Sequence, residues 1–203
     1  METELIFRII SIGLFACLVC IGFYHRFRAD KSNDNEKLSR NEEGWFILIT
    51  LRLFGFIVWI GLILYMINPN LLSWSYLPLP VWLRWLGAGI VTLSIPLMHW
   101  MFKSLGNNVT DTVVTRKHHS MVTNDPYHYV RHPMYCIVFL LLTGFMLLTT
   151  SWFIASTGFI TMLLLIMRTS IEERNLLLRF GKTYEDYKAH TNKFIPGIRF
   201  KKT

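Results

Sequence analysis

The chain has 203 residues, of which 52% are hydrophobic, and a formal net charge of +8. Apolar runs of about 20 residues exclude an ordinary water-soluble domain and are typical of membrane helices. Because the basic residues divide among three segments beside these runs, we expect no nucleic-acid partner.

Five apolar segments follow one another along the chain, and each is a predicted membrane helix. The first three have about the length that crosses a hydrocarbon core, whereas the last two are shorter. The pattern predicts an all-α integral membrane protein with about five transmembrane helices. The predicted segments are 5–23, 45–67, 80–102, 134–148 and 152–167.

The fourth and fifth segments are separated only by Thr149-Thr150-Ser151. So short a connection predicts a tight helical hairpin, and a hairpin returns its second end to the side where it began. We therefore expect residues 131–133 to lie near residues 168–173, although the two groups are far apart in sequence.

The basic residues predict the orientation. Most of them fall in 25–44, in 103–132 and after Met167, whereas the connections 68–79 and 149–151 carry no lysine or arginine. Positive residues favour the cytosolic side, so we predict an outside N-terminus and a cytosolic, helical C-terminal tail. Arg52 and Arg84 lie inside predicted spans near the ends, and we expect both to snorkel to the interface.

Two polar clusters lie where helices meet the predicted cytosolic side. Residues 118–135 combine histidines, tyrosines and Arg131 with a helix N-terminus, which can bind a ligand carboxylate. In residues 168–173, Arg168 and Glu172 are four apart and share a helix face. Singly, each cluster is explained by a helix cap or a solvated ion pair; facing each other across a hairpin, they favour a binding site. The histidine spacings match no metal motif, so we expect no metal.

These motifs resemble the family of isoprenylcysteine carboxyl methyltransferases and phospholipid methyltransferases over the C-terminal half. The specific combination is Arg-His-Pro-x-Tyr at 131–135, a hairpin, Glu172-Glu173 and Phe-Gly-x-x-Tyr at 180–184. The match also includes Leu105 to Asn108, His119 to Val122, Pro126-Tyr127, Arg168, Tyr187 and Phe194 to Pro196.

The resemblance implies an enzyme that uses S-adenosylmethionine at the cytosolic membrane face. Arg168 would face the methyl acceptor and orient it as the catalytic, substrate-binding residue. Residues 1–203 would form one domain, with three helices in 1–102 and the cofactor-binding loop, hairpin and tail in 103–203. The implied cofactor-binding residues are His119, Ser120, Met121, Val122, Tyr127, His132, Pro133, Met134, Tyr135 and Glu172.

The implied acceptor is lipid-linked and reached from the bilayer, and carboxyl O-methylation of a prenylcysteine-like substrate is the main prediction. N-methylation of a phospholipid amine and S-methylation of a small thiol stay open. So do a membrane reductase with a nicotinamide cofactor, and a non-catalytic scaffold or small transporter, which would place charges near mid-membrane. Oligomeric state and host membrane are left open.

The chain departs from the family pattern at two positions, Asp125 and His118, where glycine is usual. Glycine permits positive φ and close backbone approach. Aspartate tolerates that conformation better than most residues, and its carboxylate can favour a cationic cofactor.

Overall fold

The computed structural model describes residues 2–32, 45–106 and 121–197. Within these ranges the regular structure is helical, and the only sheet-like pairing consists of isolated bridges. The predicted all-α fold is therefore confirmed. The helices are α1 (Glu2–Ser32), α2 (Trp45–Ile67), a 3₁₀ helix (Pro69–Ser75), α3 (Val81–Leu105), α4 (Pro126–Tyr129), α5 (Pro133–Thr149), α6 (Trp152–Phe180) and α7 (Lys182–His190).

In the part of the chain that the structure describes, four helices, α1, α2, α3 and α6, are long and apolar enough to cross a membrane. Large apolar side chains on their outer surfaces are exposed, as Phe46, Trp82 and Phe159 are, which suits contact with lipid. α5 is apolar but has 17 residues, so it is about 26 Å long. The multi-pass membrane fold is therefore supported, and a fifth crossing stays a prediction.

α6 continues well beyond the predicted apolar segment and ends at Phe180. The added residues are mostly leucine, arginine and glutamate, which favour a helix. Gly181 ends it with a φ of 52° and donates its N–H to the Leu177 carbonyl at 2.8 Å. The two glutamates at 172 and 173 are therefore held on the same continuous helix as the membrane span.

The turn between α5 and α6 has two residues, and both are locked in place. Thr150 adopts a left-handed conformation with a φ of 51°, and Ser151 caps α6 by accepting from the Ile154 N–H at 3.3 Å. The Ser151 and Ser75 hydroxyls lie 2.7 Å apart, which fastens the turn to the 3₁₀ helix. The predicted tight hairpin is confirmed.

The prediction that Arg84 snorkels is wrong. Its side chain is buried and donates to both carboxylate oxygens of Glu4, at 2.6 and 3.0 Å. It also donates to the Tyr65 hydroxyl at 2.8 Å and to the Leu148 carbonyl at 3.0 Å. The position of Arg84 along α3 does not show which way its side chain points. Arg84 lies on the same helix face as the buried Gly87, and that face is turned toward the bundle.

α3 and α5 approach each other closely because glycines meet at their contact. A Cβ added to Gly87 would lie 2.6 Å from the Gly144 carbonyl oxygen and 2.8 Å from the Leu148 nitrogen. Both are backbone atoms of α5, which cannot move without moving the helix. Close contacts between small residues are a main source of helix association in membranes.

We predict that Gly87→Ala destabilises the bundle, because overpacking against a rigid backbone costs about 1 to 3 kcal/mol. Unfolding of the purified protein in detergent would measure the effect. Gly89→Ala is the matched control on the same helix, since a Cβ at Gly89 meets nothing within 4 Å. Equal stability of the two variants would contradict this account of the contact.

Candidate functional site

The buried Glu173 carboxylate joins three elements at the base of the hairpin. Its Oε1 accepts from Arg131 Nε and Nη2 at 3.1 and 2.9 Å and lies 3.1 Å from His132 Nε2. Its Oε2 lies 3.3 Å from Lys188 Nζ on α7. The predicted proximity of residues 131–133 to the end of α6 is therefore confirmed. No role was predicted for Glu173 from the sequence. The one feature that could have pointed to it is its place directly after Glu172 in the Glu-Glu motif.

Glu172 points in a different direction because adjacent residues are about 100° apart around a helix. Its side chain is partly exposed, and its Oε2 accepts from the Tyr135 hydroxyl at 2.7 Å. The His132 ring stacks on Tyr135, with centroids 5.4 Å apart and planes 7° from parallel. His132 Nδ1 lies 3.7 Å from the same Glu172 oxygen. Glu172 is thus oriented by its neighbours while retaining access to a ligand.

The segment after α7 forms the outer side of this arrangement. Arg131 N–H donates to the Asn192 carbonyl at 2.8 Å, and His132 N–H donates to the Lys193 carbonyl at 3.1 Å. The Cys136 thiol donates to the Phe194 carbonyl at 3.2 Å. The resemblance covered Phe194 without assigning it a role, so this parallel pairing of the tail with the start of α5 was missed.

Tyr127 in α4 is attached to α7 through its backbone, since the Tyr187 hydroxyl donates to the Tyr127 carbonyl at 2.5 Å. Burial raises the pKa of Tyr187 to about 12. Burial, and secondarily the charge of Glu172, also raises the pKa of Tyr127. Tyr127 is therefore a neutral hydroxyl close to Glu172, in the region where the resemblance places a cofactor contact.

The remaining predicted cofactor residues fall into three groups, two of them within the described residues. Pro133 and Met134 open α5 beside His132, with Pro133 buried and Met134 half-buried. Met121 and Val122 are half-buried, and the segment that they begin approaches α3, where the Ser104 hydroxyl donates to the Asn124 carbonyl at 3.5 Å. His118, His119 and Ser120 lie outside the described residues.

Arg168 is half-buried on α6, one helical turn before Glu172. That spacing puts both side chains on one face, with Arg168 nearer the membrane-spanning part of the helix. In the part of the chain that the structure describes, no group of three or more histidine, cysteine, aspartate or glutamate side chains is arranged to hold a metal ion.

Asp125 adopts a glycine conformation, with a φ of 54° and a ψ of −126°. Gly106 and Gly181 have nearly the same angles, 54° and −121° for the first and 52° and −128° for the second. The resemblance places glycine at position 125, and the backbone there retains the geometry that glycine prefers. Asp125 is therefore strained where α4 begins.

We predict that Glu173→Gln strongly destabilises the protein, because it leaves Arg131 buried beside a neutral amide. Breaking a buried ion pair costs about 3 to 5 kcal/mol. Glu172→Gln is the control on the neighbouring, more exposed carboxylate and is expected to leave the unfolding temperature almost unchanged without ligand. An unchanged unfolding temperature for Glu173→Gln would contradict the role assigned to this carboxylate.

We predict that Asp125→Gly raises the stability of the protein by about 1 kcal/mol, since glycine removes the backbone strain. The measurement is again unfolding of the purified protein. Asn124→Gly, at the preceding residue, whose φ is not positive, should be neutral or slightly destabilising. A less stable Asp125→Gly variant would show that the aspartate side chain outweighs the strain.

Comparisons with known proteins find similarity to one group of methyltransferases. Residues 86–178 match the model of the isoprenylcysteine carboxyl methyltransferase family. A protein-S-isoprenylcysteine O-methyltransferase from Dictyostelium discoideum is 30% identical over 141 residues, covering 63% of this chain and 56% of that protein. The chain thus spans little more than half the length of that relative.

A solved structure is also similar, that of the eukaryotic intramembrane Ras methyltransferase ICMT (isoprenylcysteine carboxyl methyltransferase). The match has a TM-score of 0.53 and covers 93% of this chain and 68% of that chain at 20% sequence identity. At that identity the likeness shows a shared fold. The resemblance predicted from the sequence is therefore confirmed: residues 86–178, which include most of α3, all of α5 and both glutamates, match the model of the isoprenylcysteine carboxyl methyltransferase family.

Proposed function

We propose that this chain is an S-adenosylmethionine-dependent methyltransferase that methylates the carboxyl group of a lipid-linked, prenylcysteine-like substrate. The observation that carries the proposal is the position of Glu172. Its carboxylate is oriented by the Tyr135 hydroxyl at 2.7 Å, stays partly exposed, and lies one helical turn from Arg168. A carboxylate and a guanidinium on one face suit a cationic donor and an anionic acceptor.

The residues around Glu172 fit the cofactor by their chemistry. A carboxylate binds an ammonium group or ribose hydroxyls, and the nearby half-buried Tyr127 is an aromatic side chain of the kind that faces a base or a cation. S-adenosylmethionine, when bound, supplies a methyl group that its sulfonium already activates. The protein has to hold the donor, orient the acceptor and exclude water.

Arg168 would orient the acceptor. A carboxylate acceptor is already a nucleophile and needs no general base, whereas an amine or a thiol must lose a proton. A guanidinium binds a carboxylate through two parallel hydrogen bonds, so Arg168 favours carboxyl O-methylation over the amine and thiol alternatives. Its place toward the membrane-spanning part of α6 suits an acceptor that arrives from the bilayer.

We propose the cytosolic side for this site. The basic segments 25–44, 103–132 and the region after Met167 lie at the ends of α1, α3 and α6. In a bundle of five crossings, the C-terminal ends of α1, α3 and α6 lie on the same side of the membrane. His132 and Glu172 lie on that side as well. Positive charge favours the cytosol, which supports an outside N-terminus.

The proposal predicts that S-adenosylhomocysteine stabilises the purified full chain against heat, since a ligand that binds the folded state stabilises it by mass action. At a large excess over its dissociation constant, the expected rise is about 5 °C or more. Glu172→Gln should weaken this binding by about tenfold or more through the loss of charged hydrogen bonds. Stabilisation by a reduced nicotinamide nucleotide alone would favour a reductase instead, and stabilisation by neither would favour a scaffold or transporter.

Transfer of a radiolabelled methyl group to three acceptors would test the substrate class: a farnesylated cysteine, phosphatidylethanolamine and a small thiol. We expect labelling of the farnesylcysteine carboxyl group. Arg168→Gln should reduce transfer by at least about tenfold while retaining binding of S-adenosylhomocysteine. Arg174→Gln, an exposed arginine on the same helix, serves as the control. Preferred labelling of the lipid amine or of the thiol would overturn the carboxyl assignment.

A further inference from the structure

Asn175 lies on the face of α6 that carries Arg168 and Glu172. Positions separated by four and then three residues fall within an arc of about 60° on a helix with 3.6 residues per turn. Asn175 is one turn beyond Glu172 and therefore on the side away from the membrane-spanning part of α6. One face of α6 thus presents, in order, a guanidinium, a carboxylate and an amide.

The Asn175 amide has an unusual environment. Its Nδ2 is buried and has no hydrogen-bond partner among the residues that the structure describes. Buried polar groups are nearly always hydrogen-bonded, so an unpartnered amide nitrogen needs an explanation. Leucines follow directly at 176, 177 and 178, and an apolar side chain at 175 would suit the helix better than asparagine. The amide donor therefore fits a ligand that binds beside Glu172.

We propose that Asn175 binds the carboxylate of the amino-acid end of S-adenosylmethionine, next to the ammonium group held by Glu172. This inference rests on the proposed function. An α-amino acid carries its two charged groups on one carbon, and side chains three apart on a helix have Cβ atoms about 5–6 Å apart. An acceptor and a donor at that spacing converge on one zwitterion.

The start of α5 is a weaker place for this carboxylate than the sequence suggested. Pro133 has no N–H, and the N–H groups of Tyr135 and Cys136 already donate to the His132 carbonyl at 3.2 and 3.3 Å. Most of the first-turn donors that would bind an anion are therefore absent or in use. A side-chain amide on α6 supplies the donor that this helix end lacks.

The test compares two ligands that differ in the amino-acid end. S-adenosylhomocysteine has it, whereas 5′-methylthioadenosine retains the nucleoside and lacks the carboxylate and the ammonium group. Binding to the purified full chain would be measured by calorimetry for the wild type, Asn175→Asp and Asn175→Leu. Asn175→Asp keeps the shape of the side chain and places a negative charge against the carboxylate.

Both variants should weaken the binding of S-adenosylhomocysteine by about tenfold or more and leave the binding of 5′-methylthioadenosine nearly unchanged. Without ligand, Asn175→Leu should unfold about 2 to 4 °C higher than the wild type, because it removes a buried, unpartnered donor. A merely structural asparagine would not combine higher stability with weaker binding. Arg174→Gln, on a different face, should change neither quantity.

If the variants weakened the binding of both ligands equally, or the binding of neither, the assignment of Asn175 to the carboxylate would be overturned. A lower unfolding temperature together with unchanged binding would also overturn it. Failure of the wild type to bind either ligand would instead refute the proposed function, so the two failures are distinguishable.

Discussion

The Glu173 carboxylate is the contact on which the candidate site depends. It accepts from the Arg131 guanidinium and from His132 and faces the Lys188 ammonium, so one side chain of α6 holds the start of α5 and α7 together. Three cationic or potentially cationic groups offset the desolvation of one buried carboxylate. With those groups fixed, the His132 ring stacks on Tyr135, and the Tyr135 hydroxyl in turn orients Glu172.

A second polar network anchors the opposite end of the bundle. Arg84 binds Glu4, the Tyr65 hydroxyl and the Leu148 carbonyl, which joins α1, α2, α3 and α5. Between the two networks, α3 and α5 pack through Gly87 and Gly144 without room for a Cβ. In lipid, apolar side chains gain little by leaving the solvent, so close packing and hydrogen bonds set the helix arrangement. The register of α5 is thereby held at both ends.

Two neighbouring glutamates have separate tasks in this arrangement. Glu173 is saturated by its partners and stabilises the fold, whereas Glu172 keeps access to a ligand. Asp125 and Asn175 are unfavourable locally, one through its backbone angles and the other through a buried amide nitrogen without a partner in the described chain. Both belong to the segments that carry the site, which agrees with the general tendency of binding sites to retain groups that reduce stability.

The amino-acid sequence by itself determined the apolar helices, the short hairpin and the consequence that residues 131–133 meet the end of α6. These follow from run length and from a turn too short to allow another path. Only the tertiary structure decided that Arg84 turns inward, that Glu173 and not Glu172 is buried, and that residues after α7 pair with Arg131 and His132. Those outcomes depend on the rotation of each helix and on partners about 40 to 80 positions away, and hydrophobic runs along a single helix carry neither kind of information.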